Sequence, residues 1–115
     1  MVSASDKGEG TVYVGKACQY WAAENGIKRT GVYYDVHVAV RSVHPISGDD
    51  TFSKCRCILA SGATDISKTT VIEERTGNQS VKILNGYLNK KKFTLKFAGN
   101  NPKYDAYIHY TYDGR

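Results

Sequence analysis

Over residues 32–44 apolar and polar positions alternate. Tyr34, Val36, Val38 and Val40 fall on one side, and Asp35, His37, Ala39 and Arg41 on the other. A period of two puts successive side chains on opposite faces of an extended chain, so the run predicts a half-buried β-strand that Pro45 ends. The pattern returns at residues 92–98, where Phe93, Leu95 and Phe97 oppose Thr94 and Lys96. Residues 104–112 carry aromatics on both sides, with Tyr104, Ile108, Tyr110 and Tyr112 on one and Tyr107 on the other. Further short runs at 11–15, 17–23, 51–60, 68–74 and 80–84 are separated by turn chemistry such as Asn25-Gly26, Ser61-Gly62 and Asn85-Gly86. Arg75-Thr76-Gly77-Asn78 reads as the turn of a hairpin. The 17–23 run also fits a single helical turn closed by Gly26.

These elements predict an all-β fold. It is a single antiparallel β-sandwich, jelly-roll or immunoglobulin-like, of roughly seven to eight short strands, with a small barrel as the related solution. Residues 1–10, polar and glycine-containing, read as a flexible N-terminal tail, and 11–115 as the domain. The 115-residue length suits one core, and a hydrophobic fraction of 41% with 23% charged residues is that of a globular chain, not a disordered one. Nine tyrosines strengthen the strand reading.

No run approaches the roughly 20 apolar residues of a membrane helix. Val2-Ser3-Ala4 has the small residues of a signal-peptidase site, so Met1 reads as a start residue set before a mature secreted chain, and an extracellular location is expected. That setting would permit disulfides. Cys55 and Cys57 point the same way from an extended strand, with Cα atoms about 6.7 Å apart, near the limit for a relaxed bridge. A disulfide from Cys18 to Cys55 or Cys57 is therefore expected. It would close a loop of roughly forty residues and contribute about 3–4 kcal/mol in the chain-entropy account. The alternative is three reduced core cysteines. Cys-x-Cys on a strand lacks the Cys-x-x-Cys knuckle of a zinc site, so no metal or other cofactor is expected.

A catalytic constellation does not emerge. His37, His44 and His109 are the candidate bases, and His37 and His109 lie opposite the apolar rows of their strands, as solvated imidazoles would. Asp49-Asp50 and Glu73-Glu74 are adjacent pairs whose side chains diverge in a strand. A small hydrolase built on Cys18 is the remaining enzymatic reading, and a non-enzyme is expected.

Charge is distributed unevenly. The net charge is +5, and residues 75–115 hold eight of the sixteen basic residues against two of the eleven acidic ones. Lys82, Lys90, Lys91, Lys92, Lys96 and Lys103, with Tyr107 for stacking, form the candidate binding set. The partner such a set fits is an anionic cell-wall polymer, a glycan or a membrane surface. Nucleic acid is the least favoured, because arginines are few here and no RNA-recognition aromatic signature appears. A leftover cysteine or an exposed edge strand would allow a dimer.

The run Phe93-Thr94-Leu95-Lys96-Phe97-Ala98-Gly99-Asn100, residues 104–115 and Ser47-Gly48-Asp49-Asp50-Thr51-Phe52 resemble parts of small secreted β-sandwich proteins of Gram-positive bacteria. The tyrosine-rich last strand and residues 36–40 are similar to those of lactococcin-972-like bacteriocins. The first resemblance implies a secreted bacterial sandwich with no site residue to carry over. The second implies a secreted toxin or effector.

Overall fold

The computed structural model describes residues 7–28, 35–45, 54–84, 86–87, 92–100 and 103–114, and the side chains of residues 44 and 45 are not among what is described. Within these residues the chain forms nine strands in two antiparallel sheets packed face to face, an all-β sandwich. Sheet A holds β1 (Lys7–Val14), β9 (Ala106–Asp113), β3 (Asp35–Pro45) and β7 (Gln79–Lys82) in that order. Sheet B runs β2 (Trp21–Lys28), β8 (Lys92–Ala98), β4 (Lys54–Ser61) and β5 (Thr64–Asp65), and β6 (Thr70–Glu73) also pairs with β4.

The core is the set of inward positions that the alternation marks. Val36, Val38 and Val40 of β3, Phe93, Leu95 and Phe97 of β8, and Ile108 and Tyr110 of β9 are all buried between the sheets. Val12, Val14, Ile27, Leu59, Ile66, Ile72 and Val81 complete the layer. Burying one such aliphatic or aromatic side chain contributes about 1.5–3 kcal/mol, so the two inner faces hold the sheets together. In β3 the alternation slips once, at a bulge between Val40 and Ser42, after which Val43 faces inward.

Five expectations are corrected. Residues 7–10 are not tail but the first half of β1, paired with β9 from Lys7↔Asp113 to Gly10↔Tyr110. Gly8 and Gly10 lie against the tyrosines opposite them: a Cβ at Gly10 would come within 2.7 Å of the Tyr110 hydroxyl, and one at Gly8 equally close to that of Tyr112. The glycines make room for aromatic rings instead of loosening the chain.

Residues 17–23 are not one strand. Lys16–Cys18 forms a 3-10 turn in which Ala17 (φ 75°) and Cys18 (φ 54°) adopt the left-handed region, and the chain passes from sheet A to sheet B. Asn25-Gly26 does not end β2. The strand continues through it, and the register shift against β8 between Glu24 and Ile27 accommodates the positive φ of Gly26.

Residues 75–78 do not close a hairpin, because β6 belongs to sheet B and β7 to sheet A. The connection crosses the sandwich, anchored by the Arg75 N–H on the Val40 carbonyl at 2.8 Å.

The Cys18 bridge to Cys55 or Cys57 is absent, and all three cysteines are free. Cys55 and Cys57 share the inner face of β4 and are fully buried, whereas Cys18 sits half-buried in the surface turn.

Candidate functional site

The outer face of sheet B collects positive charge. Phe93, Leu95 and Phe97 point inward from β8, so Lys92, Thr94 and Lys96 point outward. Cys55, Cys57 and Leu59 do the same for β4 and leave Lys54 and Arg56 on that outer face. In register, Lys28 of β2 stands opposite Lys92, while Arg56 is opposite Ala98 and Lys96 opposite Ile58. Arg56 and Lys96 are thus diagonal neighbours, about 7–8 Å apart along the sheet. The carboxylates on this face are Glu73, opposite Lys54, and Asp65, opposite Ala60. Among the described residues, five cations against two carboxylates make it strongly basic.

Tyr20, just before β2, reaches across this face to within 3.1 Å of the Thr69 hydroxyl, just before β6. Since β8 and β4 separate β2 from β6, the ring lies over the sheet, and it keeps 36% of its surface open. Partial burial raises its phenol pKa, while the Thr69 bond and the nearby Arg56 pull the other way. Two shallow depressions sit at the two ends of β4. One of about 310 Å³ is bounded by Lys54, Val71, Glu73, Thr76 and Gln79. The other, of about 160 Å³, is bounded by Gly26, Ser61, Gly62, Lys92 and Thr94 among others.

The candidate residues read from sequence divide between the sheets. Lys92 and Lys96 lie on the basic face. Lys82 is on β7 of sheet A, opposite Asp35, so it does not stand beside them. Lys103 is exposed on the approach to β9, and Lys90 and Lys91 lie outside the described residues. Tyr107 points outward from sheet A, 47% exposed.

Around Tyr107 is a second feature. Its cross-strand neighbour Tyr13 packs against it nearly edge-on, ring centroids 5.8 Å apart, and Trp21 packs on Tyr13 at 5.3 Å and 79°. Tyr13 donates its hydroxyl to Asp105 Oδ2 at 3.1 Å, and local desolvation followed by that bond raises the phenol. On the same outer face His109 lies 3.7 Å from Glu9, and across the sheet His37 lies 3.8 Å from Asp35. His109 and His37 both sit on the outer face, partly exposed.

Sequence reasoning missed Lys28, Lys54, Arg56 and Tyr20 because it followed charge along the chain instead of across the sheet. The signal was present: alternation in Lys54-Cys55-Arg56-Cys57 sends both cations to the face opposite the thiols. Among the described residues no group of histidine, cysteine and acidic side chains has the arrangement of a metal site. Comparison with protein families, with characterised proteins and with solved structures finds no match to this chain.

Proposed function

We propose that this chain is a non-catalytic binding module that holds an anionic polymer, such as a cell-wall phosphate polymer or an acidic glycan, against the outer face of sheet B. The observation that carries the reading is the spread of cations along the outer face of sheet B: Arg56 and Lys96 are diagonal neighbours near the Tyr20 ring, with Lys54 at one end of the face and Lys92 beside Lys28 at the other. A sheet face with cations spaced along it suits an extended ligand of repeating charge better than a compact one, and the ring offers a surface for a sugar or linker to rest on. The two core thiols do not favour a hydrolase. Cys57 is sealed in the core, and burial pushes the Cys55 thiol up to about 12, which keeps both protonated and unreactive.

Retention on immobilised heparin and on lipoteichoic acid, measured across a salt gradient, tests the proposal. Binding is expected at low salt and should fall steeply as salt rises. The double variant Arg56→Gln/Lys96→Gln should elute markedly earlier, whereas Lys82→Gln on the opposite sheet should elute nearly unchanged. Equal effects of the two substitutions, or no retention at low salt, would overturn it.

A further inference from the structure

The aromatic cluster at the rim of sheet A is independent of the basic face. Trp21, Tyr13 and Tyr107 expose 39%, 37% and 47% of their surfaces although each is large and mostly apolar. Part of this arrangement is structural. Trp21 belongs to the outermost strand of sheet B and Tyr13 to the outermost strand of sheet A, so their contact closes the side of the sandwich. A Cβ on Gly15 would meet the indole at 3.0 Å, which shows how closely the ring is seated. Closure does not account for Tyr107, which lies out on the sheet and is the most exposed of the three.

We infer that Trp21, Tyr13, Tyr107 and Asp105 form a second binding site, which takes an uncharged saccharide whose ring substituents are equatorial. Such a pyranose has flat faces of C–H bonds and a rim of hydroxyl groups. The faces match exposed aromatic rings, and the rim matches carboxylate and imidazole acceptors. The edge-to-face packing of the three rings, at 79° and 65°, fixes them against one another, and their exposure leaves ring surface for a ligand. Asp105 is the charged member of the cluster and is held beside Tyr13 by the 3.1 Å hydrogen bond. A carboxylate there accepts from sugar hydroxyls and repels an anion, which separates this site chemically from the outer face of sheet B. One step along the same strands, Thr11 stands opposite His109, and Glu9 lies 3.7 Å from the imidazole. The rings thus continue into a row of hydrogen-bonding groups, a layout for a chain of sugar units.

The protein carries its own probe, because Trp21 is its one tryptophan. Titration of the intact protein with chitohexaose, and separately with cellohexaose, at high salt should change the tryptophan emission saturably with at least one of them. Tyr107→Ala should weaken that binding about tenfold or more, a loss of about 1.4 kcal/mol. Tyr107→Phe should retain it, and Asp105→Asn should weaken it several-fold. Tyr107 is exposed enough that its removal leaves the fold intact, which the unchanged far-ultraviolet circular dichroism of the variant would verify. Arg56→Gln/Lys96→Gln should leave the titration unaltered, so this site and the basic face stand or fall separately. No emission change with either hexasaccharide, a response that disappears at high salt, or full affinity in Tyr107→Ala would each overturn the inference.

Discussion

Tyr110 of β9 donates its hydroxyl to Glu24 Oε1 of β2 at 2.8 Å, joining side chains of the two sheets across the interior of the sandwich. The same hydroxyl is 3.2 Å from the Ala23 carbonyl oxygen, and its ring packs on Phe97 with centroids 5.1 Å apart. Burial first, and then the bond to Glu24, raises the phenol pKa, so the hydroxyl remains a donor through the neutral range. Tyr110→Phe keeps the ring but leaves the partly buried carboxylate without this donor. We expect it to destabilise the domain by about 1–3 kcal/mol, read as a lowered denaturant midpoint with an unchanged slope.

Gly10 lies directly against this bond. A methyl group there would stand 2.7 Å from the Tyr110 hydroxyl and 3.1 Å from Glu24 Oε1, whereas at Gly8 its nearest neighbours would be the hydroxyl and ring of the half-buried Tyr112. In an ordinary strand, alanine in place of glycine gains about 0.5–1 kcal/mol. Here Gly10→Ala should lose about 1–3 kcal/mol through overpacking, and Gly8→Ala distinctly less. Urea unfolding of the two variants checks the order.

The three cysteines should separate cleanly in a thiol-labelling experiment. Cys18 is expected to react in the native protein, and Cys55 and Cys57 only after denaturation, giving one modified site and then three.

Alkaline pH should destabilise the domain through the same two buried thiols. Cys55 stays protonated in the folded state to about 12 but ionises near 9.0 when unfolded, and Cys57 shifts in the same direction. Above pH 9 the unfolded chain therefore binds fewer protons, and stability falls by about 1.4 kcal/mol per pH unit for each thiol. Thermal melts of the Cys55→Ala/Cys57→Ala variant should show a shallower decline between pH 9 and 10 than the parent. An identical slope would contradict this account.

Glu74 is the cap of the β3 bulge. Its Oε2 accepts the Val43 N–H at 2.8 Å, just beyond the point where β3 slips register against β9. Glu74→Ala should cost about 1–3 kcal/mol, while Glu73→Ala, exposed on β6, should be close to neutral. Chemical denaturation of both variants would show the contrast.

Strand periodicity made the class of fold legible. Alternation in β3, β8 and β9 correctly separated Val36, Phe93 and Ile108 from His37, Lys96 and Tyr107, because a half-buried strand must segregate its two faces. Glycine and the turn signals misled where packing outweighed local propensity. Gly8 and Gly10 looked like slack but accommodate tyrosines, and Arg75-Thr76-Gly77-Asn78 looked like a hairpin but changes sheets. The candidate site was half legible for a related reason. Lys92 and Lys96 are visible as a local cluster, yet their neighbours Arg56 and Lys28 come from distant segments that only sheet order brings alongside. Likewise, Trp21, Tyr13 and Tyr107 become a cluster only through the β1–β9 pairing and the contact between outermost strands.

The place of β9 between β1 and β3 has a consequence for how the chain reaches this state. The earliest strand and the third both take their hydrogen-bonding partner from residues 106–113. During synthesis β1 and β3 must therefore wait, unpaired along those edges, until residues 106–113 have left the ribosome. Sheet B, apart from its late strand β8, can begin with the local β4–β5 and β4–β6 pairings. Assembly of sheet A is thus a late and slow event dominated by long-range pairing, and nascent chains stopped short of Ile108 are the species most exposed to misassociation.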